Sequence, residues 1–186
     1  MDLLSLWLPL VVASIGVFFA SSLMHMVLPF HRKDYNQLPN EDEVLEVLRK
    51  SPPAPAHYMM PYASGPEEAN TPEMKEKYAK GPVAMINVLA PGSLSMGRSL
   101  GGWFVMCVIG SLFCAYVASA TLAPGADYLK VFQVVGAVAF AVYALGEPVN
   151  SIWRGQPWGN TCRAMVDGLV YSLVSAGVFG WLWPAA

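Results

Sequence analysis

The stretch Ala164-Met165-Val166-Asp167-Gly168-Leu169-Val170-Tyr171-Ser172-Leu173-Val174-Ser175-Ala176-Gly177-Val178-Phe179-Gly180-Trp181-Leu182-Trp183 carries one acidic residue and no basic one. A helix of about 20 residues rises about 30 Å, the thickness of a bilayer's hydrocarbon core. A membrane β-strand would be about half as long and alternate apolar with polar residues, which this stretch does not. It reads as a membrane-spanning helix. Ala164, Gly168, Ser172, Ala176 and Gly180 recur every fourth position. Such a ridge of small side chains lets a second helix come close, and close packing is what associates helices where lipid removes the usual hydrophobic drive. Gly16 with Ala20, and Ala137 with Ala141, are candidate counterparts on other apolar blocks.

Working outward, three more blocks have spanning length: residues 3–30, 100–122 and 128–145, beside 164–183. The composition agrees, with 55% hydrophobic residues, 13% charged and a mean hydropathy of +0.42. Ordinary soluble domains carry about twice that share of charge. The expected fold is therefore an all-α membrane protein: helix one over 1–30, a small α/β insert over 31–99, and helices two to four within 100–186. The first block lacks the basic start of a cleavable signal peptide and is long for one, so it reads as a retained, tilted helix. Pro9 and Pro29 lie near its two ends, where a missing amide costs least.

Lys and Arg give the orientation, since they concentrate in cytoplasmic connections. Arg32, Lys33, Arg49, Lys50, Lys75, Lys77, Lys80 and Arg98 fall between blocks one and two. Arg154 and Arg163 fall between three and four, and only Lys130 lies on the other side. Both termini are expected outside the cytoplasm and the insert within it. Trp7, Trp181 and Trp183 then belong to the outer interface, and Trp103, Trp153 and Trp158 to the inner one, a layer that indole favours.

In the insert, Asn40 with Glu43 reads as the capped start of a helix over 41–50. Thr71-Pro72 opens a second, over 72–80. Residues 56–60 and 83–89 read as extended and able to pair as a small antiparallel hairpin. A proline-rich region this small has little core of its own, and is expected to lie on the membrane or on a neighbouring protein.

Chemistry is sparse. Cys107 and Cys114 share a helix face but stand about 10 Å apart along it, too far for a disulfide. There is no Cys-x-x-Cys, His-Glu-x-x-His, phosphate loop or Gly-x-Ser-x-Gly elbow. Met24-His25-Met26, with His31 nearby, offers donors suited to copper(I) or haem iron. Successive helical residues point in different directions, however, and His25 is the one histidine within a block. His25 is thus expected to be buried and hydrogen-bonded to a neighbouring helix, with no catalytic, cofactor or metal site assigned. Arg163 and Asp167, one turn apart, are expected to join Glu147 in an interfacial ion cluster fastening helices three and four. Trp153, Arg154 and Trp158 could grip a lipid phosphate or a partner's surface.

Two stretches are similar to a known group: His31-Arg32-Lys33-Asp34-Tyr35 running into Leu38-Pro39-Asn40-Glu41-Asp42, and Asp167-Gly168-Leu169-Val170-Tyr171 running to Gly180-Trp181-Leu182-Trp183-Pro184. They resemble uncharacterised bacterial four-span membrane proteins with no assigned activity. The resemblance implies the bacterial inner membrane and no particular reaction. A net charge of −2 and a pI near 5.9 give no reason to expect nucleic-acid binding. The ridge, the thin insert and the lack of a catalytic set lead to the expectation of a non-catalytic subunit or scaffold, contacting lipids and other membrane subunits. A small carrier or channel using Asp167 and Glu147 is the alternative, and a haem- or copper-binding protein around His25 the second.

Overall fold

The computed structural model describes Met1–Ala186 and divides into two compact units. Met1–Tyr35 and Met96–Ala186 form the first, and Asn36–Ser95 the second. The first is a bundle of four helices long and apolar enough to cross a membrane: Leu3–Val27, Met96–Thr121, Tyr128–Arg154 and Trp158–Trp181. The chain is an all-α multi-pass membrane protein with a two-stranded sheet in its insert.

The span ends differ from the hydropathy reading, each for a local reason. Span one comprises a 3₁₀ turn Leu3–Leu6, helix α1 Trp7–Ser22 and a π-helical stretch Leu23–Val27. It stops short of residue 30 because Leu28 is extended (ψ 143°), as a residue before proline prefers. A further 3₁₀ turn, Pro29–His31, then redirects the chain. Span two, α5, is Met96–Thr121, and span four, α8, is Trp158–Trp181. Both begin earlier than expected because their first turns are helical but polar. Span three is α6, Tyr128–Tyr143, followed by a tight turn and the short helix α7, Pro148–Arg154. Trp153 and Arg154 thus sit on a helix rather than in an open loop.

The small-residue ridge of α8 faces α6 of the same chain. A Cβ at Gly168 would stand 2.7 Å from both the Tyr143 carbonyl oxygen and Ala144 Cβ. One at Gly180 would meet the Tyr128 ring, and one at Gly136 would lie 3.3 Å from Ala176 Cβ. The counterparts on α6 are therefore Gly136 and Ala144; Ala137 and Ala141 point outward and are exposed. Gly16 of α1 does meet α8, at Val174. Val131, Val135, Ala139 and Phe179 fill the core at one end. Val17, Met24, Cys107 and Tyr171 fill it at the other. Leu112, Phe113 and Ile109 of α5 and Phe19 of α1 stay exposed, as side chains facing lipid do.

In the second unit, α2 (Glu41–Lys50), β1 (Ala56–Met60), α3 (Pro66–Ala69), α4 (Pro72–Lys80) and β2 (Ala84–Val88) follow in order. β1 and β2 pair antiparallel, with Ala56 opposite Val88 and Met60 opposite Ala84. Thr71 caps α4 by accepting from the Met74 amide at 3.3 Å. Asn40 precedes α2 but makes no side-chain cap bond. That helix start is favoured instead by Glu41, Asp42 and Glu43 in its first turn.

Candidate functional site

The turn after span one gives the bundle its densest polar cluster. Because Leu28 breaks the helix and Pro29–His31 turns, His31 and Asp34 fold back onto the start of α8. His31 Nδ1 lies 2.6 Å from Asp34 Oδ2. An ionised carboxylate can only accept, so Nδ1–H is the donor. Asp34 is held from the other side, since Arg163 Nε donates to its Oδ1 at 2.6 Å. Asn160 Nδ2 donates to its backbone carbonyl at 3.0 Å. Burial raises the Asp34 pKa, but the bonds from His31 and Arg163 outweigh it and hold the group below the usual carboxylate range. For His31, burial pulls the pKa down, while the Asp34 and Asp167 carboxylates beside it leave it above its ordinary value.

Asp167 lies on the inward side of α8, with only 6% of its side chain exposed. Its Oδ2 is 3.0 Å from His31 Nε2 and 3.7 Å from His25 Nε2. The nearer contact is off the hydrogen-bond axis, which leaves His31 Nε2 buried without a hydrogen-bond partner, and Asp167 Oδ1, the other carboxylate oxygen, is buried and unpartnered too. His25 comes from the π-helical stretch of span one, a distortion often found at functional sites. Its Nδ1 donates to the Ser21 carbonyl at 3.1 Å. Its ring stacks on that of His31 at 4.1 Å between centroids and 7° between planes. The three donor atoms of His25, His31 and Asp167 lie within 4.8 Å of one another, close enough for one cation to bridge.

Beside this cluster a cavity of about 530 Å³ opens between the four spans. Trp103, Met106, Val142, Tyr143 and Tyr171 give it an aromatic and apolar wall. Ser21, Ser22, His25, Ser99, Glu147 and Asp167 supply its polar groups. Trp103 Nε1 donates to Ser21 Oγ at 2.7 Å, and its ring meets Tyr143 and Tyr171 at 6.2 and 5.8 Å. Its N–H thus finds a partner inside the bundle, and its ring forms part of the cavity wall. Trp153 and Trp158 are exposed, at 76% and 58%, and Arg154 donates to Asn150 on its own helix.

The expected cluster of Glu147, Arg163 and Asp167 is rearranged. Arg163 engages Asp34 and Asn160, since the returning turn brings a carboxylate to it. Asp167 turns to the histidines, and Glu147 accepts from Asn150 Nδ2 at 3.4 Å. Glu147 and Asp167 do share the cavity, and Ala164 of the ridge also lines it. His25 is half exposed and bonded to its own helix, not buried against a neighbour as expected. His31 and Asp34 were missed as site residues. The available signal was the spacing of His25, His31 and Asp34 around Pro29, a residue able to turn a helix end back. Compared with protein-family models, curated proteins and solved structures, the chain finds no match.

Proposed function

We propose that this chain is a bacterial inner-membrane protein that holds a single-chain amphiphile with a non-anionic head in the cavity between its spans. The cavity of about 530 Å³ carries the reading. Its size and its makeup, a mostly apolar wall with a few convergent polar groups, are those of small-molecule sites. Lipid surrounds the bundle, so an apolar body partitions to it readily. The ionisable residues on its wall are Glu147, Asp167 and His25, with no Lys or Arg. An anionic head would meet two carboxylates in a medium that screens them poorly.

The scaffold expectation drew on the α8 ridge, and that ridge is occupied by α6 of the same chain. A partner subunit therefore loses its main motive. A carrier would need this same binding as its first step. Arg32, Lys33, Arg98, Arg154 and Arg163 all belong to the end of the bundle where the cavity lies. This supports a cavity in the cytoplasmic leaflet and both termini outside, and the resemblance to bacterial four-span proteins supports the same membrane.

The test is tryptophan quenching by a brominated monoacylglycerol. Saturable quenching is expected in the wild type, with its saturable component lost in Trp103→Phe and strongly weakened in Ala164→Phe, which fills the cavity. A brominated fatty acid of equal chain length, ionised, should give no saturable phase in protein stripped with EDTA. Quenching that never saturates, or that is equal in Ala164→Phe, would overturn the proposal.

A further inference from the structure

We infer that His25, His31 and Asp167 form a binding site for a divalent transition-metal ion, best matched by Zn²⁺, whose open coordination position faces the cavity. The inference sets an electrophile at the polar end of that cavity, but it rests on the side-chain geometry alone and not on what fills the space.

The hydrogen bonds behind the two rings decide the chemistry at their front. Asp34 Oδ2 and the Ser21 carbonyl accept from the two Nδ1 atoms. A neutral imidazole with its proton on Nδ1 carries a lone pair on Nε2. A cation entering here would take the place of the proton that the two carboxylates favour on His31, and both Nε2 atoms stand close to Asp167 Oδ2, at 3.0 and 3.7 Å. Two imidazole nitrogens and one buried carboxylate thus converge as three possible ligands. The nearest fixed cation cannot answer them, because Arg163 is committed to Asp34 and Asn160. Asp167 Oδ1 and His31 Nε2 remain buried and unpartnered, a costly arrangement that a cation at this point would relieve.

The donor set names the class of cation. Metal-bound histidines usually give their second N–H to a carboxylate or a backbone carbonyl, and His31 and His25 do one each. Around a tetrahedral ion with bonds near 2.0–2.1 Å, neighbouring donors stand about 3.3 Å apart. The two nitrogen–oxygen gaps bracket that value. Two imidazoles disfavour Ca²⁺ and Mg²⁺, which want oxygen, and without a thiolate the site is a poor one for Cu⁺. The stacked rings do not aim their lone pairs at one point, so His25 must tilt to close the shell. Half its side chain is exposed, which leaves it room. Three protein ligands leave a fourth position open, as in reactive rather than purely structural zinc sites. His25 and Asp167 line the cavity and His31 does not, so that position faces the cavity.

The experiment uses the full chain in detergent, stripped with EDTA and titrated with Co²⁺. One Co²⁺ per chain with visible d–d bands, displaced by Zn²⁺, is expected. Asp34→Asn, which removes the support behind His31 and also frees Arg163 toward Asp167, should weaken binding by at least roughly 10–100-fold. Asp167→Asn and His31→Ala, which each remove a donor, should weaken it strongly as well, and Asp127→Asn, at the far end of α6, should bind as the wild type does. X-ray absorption of the wild-type Zn²⁺ complex needs no variant and should show two imidazoles with oxygen neighbours. The inference is overturned if the wild type binds neither ion, which would leave a site for protons alone, or if Asp167→Asn binds Co²⁺ normally. A zinc shell lacking imidazole would overturn it too. Amphiphile quenching repeated in EDTA separates the two proposals: metal binding lost with quenching intact strikes only this one, and the reverse strikes only the cavity reading.

Discussion

Replacing Gly168 by alanine adds one methyl group where α8 meets the end of α6. The new Cβ would stand 2.7 Å from Ala144 Cβ and 2.7 Å from the Tyr143 carbonyl oxygen. Relaxed carbon contacts begin near 3.5 Å, so the helices must separate by several tenths of an ångström. The obstacle includes backbone, which cannot swing aside as a side-chain tip can. Overpacking of this kind costs about 1–3 kcal/mol, while alanine's better helix propensity returns up to about 1 kcal/mol. Gly102→Ala in α5 is the matched control, because a Cβ there meets nothing within 4 Å. It keeps the propensity gain without the clash. Gly168→Ala should therefore be about 1–3 kcal/mol less stable than Gly102→Ala, measured by reversible unfolding in mixed micelles of rising SDS content. Asp167 is the preceding residue, so separating the helices should also weaken Co²⁺ binding in the same variant. Equal stability of the two alanine variants would refute the idea that the ridge is closed by α6 within one chain.

Three further outcomes follow from other parts of the molecule. Ser21→Ala leaves the Trp103 N–H without its acceptor and should cost about 1–3 kcal/mol in the same unfolding assay; an unchanged midpoint would remove this bond from the account of the cavity wall. Cys162 is exposed while Cys107 and Cys114 are buried, so a membrane-impermeant maleimide should label Cys162 alone, in inside-out vesicles and not in intact cells. Labelling from the outside would invert the orientation. In the insert, Thr71→Ala removes a formed cap bond and should raise hydrogen exchange over α4 by about 0.5–2 kcal/mol of opening free energy, whereas Asn40→Ala, with no cap bond to lose, should leave α2 nearly unchanged.

Those paired expectations mark where sequence reasoning succeeded and where it stopped. The spans were legible because an apolar block of bilayer length has essentially one stable backbone solution in lipid. The insert strands were legible because breakers flank them: the pairing of Ala56–Met60 with Ala84–Val88 matches the expected hairpin to within a residue at each end. Helix starts were less legible. The first turns of α8, around Asn160, Thr161 and Arg163, are polar, and hydropathy assigns such residues to water although their backbone is already helical. The partner of Trp103 was illegible for a related reason. An indole near a span end suits an interface on average, and only the neighbouring helix reveals that Ser21 waits for its N–H.

The site itself required information that lies between elements. Arg163 and Asp167 share a helix face, so local spacing predicts that they pair. What separates them is Asp34, 129 positions away in the chain from Arg163, delivered by a turn that exists because Leu28 precedes a proline. Once Arg163 is engaged there, the charge of Asp167 has no fixed partner, and the two histidines become its only near neighbours of suitable chemistry. Each has committed its Nδ1 proton elsewhere. Pairwise spacing within one helix therefore predicted a fastening ion cluster, while the assembled bundle yields a buried carboxylate faced by two imidazoles. The two arrangements differ by a single competitor for one guanidinium. That competition predicts that in Asp34→Asn Arg163 is released toward its i+4 neighbour Asp167, and the freed guanidinium would then exclude from the site the cation that the native arrangement invites.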